Sequence, residues 1–160
     1  MKFIDWEPIY KEVLSDMGYS REEDENTVRI LKAVTMNSDL RDEDALSGII
    51  GREVSIFGNA PCLEEDLVLA YPEGTRIASG SAVARLHRLG IRPEIVVTDL
   101  DGDMDAQLRA SEEGAVTLIH AHGDNADLIR RYAGMFKGPV VLTTQSKPAN
   151  TVQNYGGFTD

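Results

Sequence analysis

The sequence predicts an α/β fold, a Rossmann-like, mostly parallel sheet with helices on both faces and an N-terminal helical cap. From Val54 onward, short apolar runs alternate with helix-length segments, the pattern of a parallel sheet built from strand and helix in turn. Before Val54 the apolar residues instead recur at three- and four-residue steps, the period of a helix face. Each later apolar run also ends in small or polar residues, as strand-to-helix turns do.

Taken in order, Trp6, Ile9, Tyr10, Val13, Leu14 and Met17 fall on one face of a first helix, and Gly18 supplies its stop. Ser20 and Glu23 have capping-box spacing at the start of a second helix, whose stripe is Val28, Leu31, Val34 and Thr35. A weaker third helix runs from Arg41 to Ile50 and is closed by Gly51. These segments show no convergent polar groups, so residues 1–50 read as a helical cap and 51–160 as the Rossmann-like domain. In that domain the expected strands are Val54–Phe57, Arg76–Ala78, Ile95–Thr98, Val116–His120 and Val140–Thr144. The expected helices are Leu63–Ala70, Ser81–Leu89, Asp105–Glu113 and Asn125–Phe136, with Gly90, Gly114 and Gly138 as stops and Tyr132, Met135 and Phe136 as core.

Composition narrows the partners. A net charge of −11 argues against nucleic acid or an anionic membrane surface, which need a basic footprint. An acidic chain binds polyphosphate through a divalent cation held between carboxylates and phosphate oxygens. The single cysteine, Cys62, forms no internal disulfide, and the N-terminus lacks the basic start and apolar run of a signal peptide, so a cytoplasmic protein is expected.

The polar residues fall where strands end. Gly58-Asn59-Ala60-Pro61 follows the first strand, Ser79-Gly80-Ser81 the second, Asp99 to Asp103 the third, His122-Gly123-Asp124-Asn125 the fourth and Gln145 the fifth. Ligands of open α/β sheets collect at those carboxyl ends. Asp99 and Asp101 flank Leu100, so two carboxylates can face one point while the leucine turns inward. Like charges about 4 Å apart repel by ~4 kcal/mol at an effective dielectric of ~20, so the cluster suits a bound cation or a proton. Asp103 or Asp105 has the simpler use of capping the next helix. An EF-hand is excluded, because Met104 and Ala110 stand where that loop needs Gly and Glu. An Asp-x-Asp phosphatase matches from Val96 to Gly102 but lacks its later aspartates, and the Asp-x-Asp of sugar-nucleotide glycosyltransferases stays open. The Gly58 to Pro61 turn is placed like an anion-binding loop but is no Walker A motif. His120, His122 and Asp124 alternate so that a second metal site is conceivable, although His120 also serves as an ordinary strand end.

Together, Gly58-Asn59-Ala60-Pro61, Val97-Thr98-Asp99-Leu100-Asp101-Gly102-Asp103, Ala121-His122-Gly123-Asp124-Asn125, Thr143-Thr144-Gln145 and Asn154-Tyr155-Gly156-Gly157-Phe158-Thr159-Asp160 resemble the archaeal 6-hydroxymethyl-7,8-dihydropterin pyrophosphokinases, relatives of thiamine pyrophosphokinase. The resemblance implies ATP and a reduced pterin as substrates, Mg²⁺ as cofactor, AMP as a product and a place in folate or tetrahydromethanopterin biosynthesis. It implies Asp99, Asp101 and Asp124 as metal ligands, the first two catalytic, and Gly58, Asn59, Ala60, Pro61, Ser79, Gly80, Ser81 and His122 as nucleotide contacts. Thr144, Gln145, Asn154, Gly157 and Phe158 would then face the pterin, and a homodimer is compatible with the resemblance. Two departures stand out. Ser79 lies where many relatives carry an acidic residue, and the family pattern continues into a further helix and strand where this sequence reaches Asp160. The alternatives are a glycosyltransferase-like enzyme of related fold and a non-catalytic Mg-nucleotide-binding module.

Overall fold

The computed structural model describes residues 2–157. Its centre is a six-stranded sheet in the order β1-β2-β3-β4-β5-β6, with each neighbouring pair parallel. The strands are β1 (Val54–Phe57), β2 (Thr75–Ser79), β3 (Ile95–Thr98), β4 (Val116–Ala121), β5 (Val140–Thr144) and β6 (Val152–Gln153). The three central strands β3, β4 and β5 are rich in Val, Ile, Leu and Thr, as strands covered on both faces are. β1, β3 and β5 have the bounds that the sequence predicts, while β2 extends by one residue at each end and β4 by one. β6 was not expected, because two residues carry no period.

Among the described residues seven α-helices surround the sheet: α1 (Phe3–Met17), α2 (Arg21–Val34), α3 (Glu43–Ile49), α4 (Leu63–Leu69), α5 (Val83–Arg88), α6 (Met104–Glu112) and α7 (Ala126–Tyr132). Single 3-10 turns at Gly80–Ala82, Gly123–Asn125 and Ala133–Met135 flank α5 and α7, so the helices expected over 81–89 and 125–136 are shorter in α-helical form.

Strand order that never reverses has a consequence. Right-handed crossovers between consecutive parallel strands place their helices on one side. One face of the sheet accordingly carries α4 and α5 against Phe57, Ala78 and Val96, and α2 and α7 against Ile119, Val140 and Leu142. The opposite face, with Ile95, Val116, Leu118 and Val141, is covered by α3 through Leu46 and Ile49. Helices do lie on both faces, but unequally, and Ile56 on β1 is 78% exposed. No topological switch point exists to open a crevice, so any site at the carboxyl edge must be built by the loops themselves.

The N-terminal segment is more than a cap. Val28 and Leu31 of α2 belong to the same buried cluster as Ile119 and Leu142, and residues 39–41 extend the sheet by bonding Val140 on both its N–H (2.9 Å) and C=O (2.8 Å). The stripe on α1 is narrower than its period suggests. Trp6 and Tyr10 are buried, whereas Ile9 and Met17 are 46% and 59% exposed. Ser20 occupies the N-cap of α2 but accepts no capping bond, so the expected capping box is not formed. Phe136 is core as expected, while Met135 is 48% exposed because the chain tightens into a 3-10 turn there.

Gly80, directly after β2, packs against Thr98 at the end of β3. A Cβ at Gly80 would lie 2.4 Å from Thr98 Oγ1 and 2.9 Å from Gln107 Nε2. Gly80→Ala should therefore destabilise the protein by about 2 kcal/mol, the cost of overpacking a buried site. Urea denaturation checks this, and an unchanged midpoint would show that the β2 turn has slack.

Candidate active site

Each loop at the carboxyl edge is shaped by a local requirement. Thr98, fully buried at the end of β3, accepts a hydrogen bond from the Leu100 N–H at 2.8 Å. Leu100 adopts φ +73° and is 1% exposed, part of the core beside Ile119 and Ala121. A leucine tolerates that left-handed conformation only where burial compensates for it. With Leu100 turned inward as the sequence predicts, the chain leaves Asp99 half-buried and Asp101 exposed. Asp99 Oδ1 accepts the Asp101 N–H at 3.2 Å, Gln107 Nε2 donates to the Asp101 carbonyl, and Asp103 caps α6 by accepting from Ala106 N. Asp103 is thus the capping residue. Gly102 packs on Ser81, where a Cβ would come within 2.9 Å of the Ser81 Cα. That contact brings the Ser79 to Ser81 loop against the Asp99 loop.

The loop after β4 is tied to the one after β3 by Asn125, which is 3% exposed. Its Nδ2 donates to the Asp99 carbonyl at 2.8 Å and to the His120 carbonyl at 2.7 Å, and its Oδ1 accepts the His122 N–H at 3.1 Å. His122 Nε2 is thereby set 3.6 Å from Asp99 Oδ2, an ion-pair separation when the imidazole is protonated. The His122 side chain holds the Asp99 carboxyl below the usual carboxylate range, against the opposing effect of partial burial. His120 is different. Its Nδ1 meets Thr143 Oγ1 at 3.0 Å, its Nε2 is buried without a partner, and burial pushes its pKa down to about 4. His120 is neutral at pH 7.

Gly58, Asn59, Ala60 and Pro61 lie at the same edge, two strands away, and are exposed. Arg85 of α5 holds this turn, donating to Asn59 Oδ1 at 3.0 Å, the Ala60 carbonyl at 2.7 Å and the Pro61 carbonyl at 3.4 Å while pairing with Glu64. A hollow of about 350 Å³ bordered by Phe57, Leu63, Leu67 and Tyr71 opens beside it. A smaller slot of about 100 Å³ lies on the opposite face of the sheet, walled by Val97, Leu118, His120, Thr143, Tyr155 and Gly157.

Three residues expected to face a substrate make hydrogen bonds within the protein. Thr144 is 1% exposed and donates to the Ala121 carbonyl at 3.1 Å. Gln145 is 3% exposed and its Nε2 sits 3.0 and 2.9 Å from the two carboxylate oxygens of Asp24. Asn154 Nδ2 closes the same loop by donating to the Gln145 and Ser146 carbonyls. Phe158 lies outside the described residues. Asp24, on α2, was not anticipated, yet it reaches across to the Gly123 N–H at 2.6 Å. The signal was present in the sequence, since Asp24 stands four residues before Val28 and seven before Leu31 on the helix's apolar face.

No group of three His, Cys, Asp or Glu side chains among the described residues is close enough to hold a metal ion by itself. The expected trio of Asp99, Asp101 and Asp124 is therefore not a preformed cage, and the alternating His120, His122 and Asp124 are not one either. Asp124 is exposed, beside His122 and Gly123. Two outward carboxylates on one tight loop do fit the way Mg²⁺ is commonly held, by one or two carboxylates with phosphate oxygens and water completing the octahedron.

A family model described as MptE-like, 6-hydroxymethylpterin diphosphokinase MptE-like, matches residues 25–160. Three curated relatives bear the name 6-hydroxymethyl-7,8-dihydropterin pyrophosphokinase. The one from Pyrococcus furiosus is 41% identical over 165 aligned residues, covering 100% of this chain and 69% of the relative. That from Methanocaldococcus jannaschii is 32% identical, covering 100% and 71%, and that from Methanothermobacter thermautotrophicus is 35% identical, covering 97% and 67%. No described helix is long and apolar enough to cross a membrane.

The neutral His120 makes stability depend on pH. As pH falls below 6.5 an unfolded chain protonates this imidazole, whereas the folded protein does so only near 4, so stability present above 6.5 is lost across that interval. The loss amounts to about 3 kcal/mol from this group. Denaturation at pH 7 and pH 4 should show it in the parent, and His120→Leu should remove that part. Equal pH dependence of the two proteins would contradict a buried neutral His120.

Proposed function

The chain belongs to the MptE-like 6-hydroxymethylpterin diphosphokinase family, and on that premise we propose that it is an ATP-dependent diphosphotransferase acting on 6-hydroxymethyl-7,8-dihydropterin, with Mg²⁺ as its cofactor. The observation that carries the proposal is the β3 loop, in which the buried Leu100 turns Asp99 and Asp101 outward beside His122. The pterin hydroxymethyl oxygen attacks the β-phosphorus of ATP, the bond from the β-phosphorus to the oxygen shared with the α-phosphate breaks, AMP departs, and the hydroxyl proton is released. No covalent intermediate with the protein is needed.

Catalysis of this transfer is mostly positioning and neutralisation of charge. A bound Mg²⁺ would supply that neutralisation at the phosphates, held by Asp99 and Asp101. The Asp99 carboxylate, held below its usual range by His122, is ionised at neutral pH as this role requires. His122 and the Ser79 to Ser81 loop border the same point and offer donors to phosphate oxygens. The Gly58 to Pro61 turn stands roughly 10 Å away, two inter-strand spacings, which lets the nucleoside end lie along the edge toward it. The slot beside Tyr155 and Gly157 suits the edge of a planar heterocycle, with Val97 and Leu118 as apolar walls. Because Thr144, Gln145 and Asn154 are internally bonded, they shape this region and do not present free polar groups to the ring. We further propose that the pterin diphosphate product feeds the biosynthesis of a pterin-derived cofactor.

Two outcomes test the proposal. With a reduced hydroxymethylpterin, ATP and Mg²⁺, AMP should appear in step with the pterin diphosphate; acceptor-independent phosphate without AMP would assign the chain to hydrolysis instead. Asp99→Asn and Asp101→Asn should each lower turnover by about 100-fold or more. Asp101→Asn should match or exceed the parent's melting temperature, since one repelling charge is removed, whereas Asp99→Asn, which loses its charge beside His122, should melt slightly lower. Full activity in either variant would remove that carboxylate from the cation site.

A further inference from the structure

We propose that Asp24, on helix α2 and outside every loop that resembles the family's motifs, is the positioning residue that sets the two loops after β4 and β5 for the reaction. The inference rests on the diphosphotransferase reading above. Asp24 is 1% exposed, yet none of the ion pairs among the described residues involves it. Four hydrogen bonds from neutral donors meet its carboxylate. Tyr10 Oη donates at 2.6 Å to one oxygen, the Gly123 N–H donates at 2.6 Å to the other, and Gln145 Nε2 reaches both at 2.9 and 3.0 Å. Burying an unpaired carboxylate is costly unless strong bonds of this kind replace its water.

The donors identify what the carboxylate controls. Gly123 follows His122 directly, so the bond to Asp24 fixes the turn that places the His122 ring beside Asp99. The approach is close, for a Cβ at Gly123 would come within 3.1 Å of Glu23 Cβ. Gln145 follows β5, and its carbonyl is held in turn by Trp6 Nε1 of α1 at 2.8 Å and by Asn154 Nδ2 at 2.9 Å, and Asn154 leads directly to Tyr155 and Gly157. One buried charge on an N-terminal helix thus fastens the turn on the phosphate side and the segment that walls the slot. Asp24 accepts all four bonds at once, whereas an asparagine amide would turn its own N–H groups toward Tyr10 Oη or Gln145 Nε2 and force one of those partners to reorient.

The test uses the full chain with Asp24→Asn, Tyr10→Phe and Gln145→Met. Asp24→Asn should keep a cooperative melt while the Gly123 amide exchanges with solvent about 10-fold faster. Its kcat/KM for pyrophosphoryl transfer should fall by about 100-fold, with the loss mainly in kcat, as expected when reacting groups are misplaced and binding surface is intact. Tyr10→Phe leaves the Gly123 and Gln145 bonds in place, so it should lower the melting temperature and leave kcat, KM and Gly123 exchange as in the parent. Folded Asp24→Asn with parental Gly123 exchange and parental kcat would overturn the proposal, as would a kcat loss in Tyr10→Phe equal to that in Asp24→Asn. Where Asp24→Asn does not fold, Gln145→Met carries the test, with an expected kcat loss of about 10-fold and an unchanged kcat as the contrary result. A parent chain that forms no AMP would count against the diphosphotransferase reading, whereas Gly123 exchange reports on Asp24 in either case.

Discussion

The buried amide of Asn125 is the interaction on which the site depends. A parallel sheet delivers its strand ends to one edge, but it does not hold the loops beyond them in any mutual arrangement. Asn125 does so for the two loops that matter, because its Nδ2 is shared between the Asp99 and His120 carbonyls while its Oδ1 takes the His122 N–H. A buried backbone group left without a partner costs about 1–3 kcal/mol, so these bonds hold the two loops firmly. Satisfaction of all three groups by one side chain fixes the spacing of His122 from Asp99 before any ligand arrives.

That brace compensates for what the topology lacks. In a sheet whose order reverses, the crevice at the switch point separates the loops and makes a cleft. Here the order runs from β1 to β6 without reversal, and most helices crowd one face. The site is instead assembled by side chains that reach between loops. Asn125 joins β3 to β4, Asp24 joins α2 to β4 and β5, Arg85 joins α5 to the turn after β1, and the Gly102 contact with Ser81 joins β2 to β3. In the proposed reaction the outward carboxylates of Asp99 and Asp101 would meet a cation and phosphate together.

The parts of this arrangement that were legible in the sequence are local ones. Alternation of apolar runs and helical segments gives the parallel sheet, and Asp99-Leu100-Asp101 after a buried strand gives the inward leucine and outward carboxylates. Asp103 announces itself as a cap by position. What was not legible depends on partners far apart in the chain. Asp24 is 99 residues from Gly123 and 121 from Gln145, and only its place on an apolar helix face betrays it. Thr144, Gln145 and Asn154 look like ligand-facing polar residues at a strand end, but residue type cannot say whether a hydrogen bond will be made to substrate or to a neighbouring loop. The same holds for Asp124, whose spacing from His122 is compatible with either side of the turn. The N-terminal helices read as a separate cap because their polar contributions are single residues, not motifs.

The central claim is that the loops after β3 and β4 form one site assembled before ligand binding. It is tested most directly by following backbone amide resonances while the full chain is titrated with Mg²⁺ and a non-cleavable α,β-methylene analogue of ATP. The account predicts that Asp99, Asp101, His122 and Gly123 shift together with one apparent Kd. Shifts confined to one loop, or two loops that saturate at different concentrations, would contradict it.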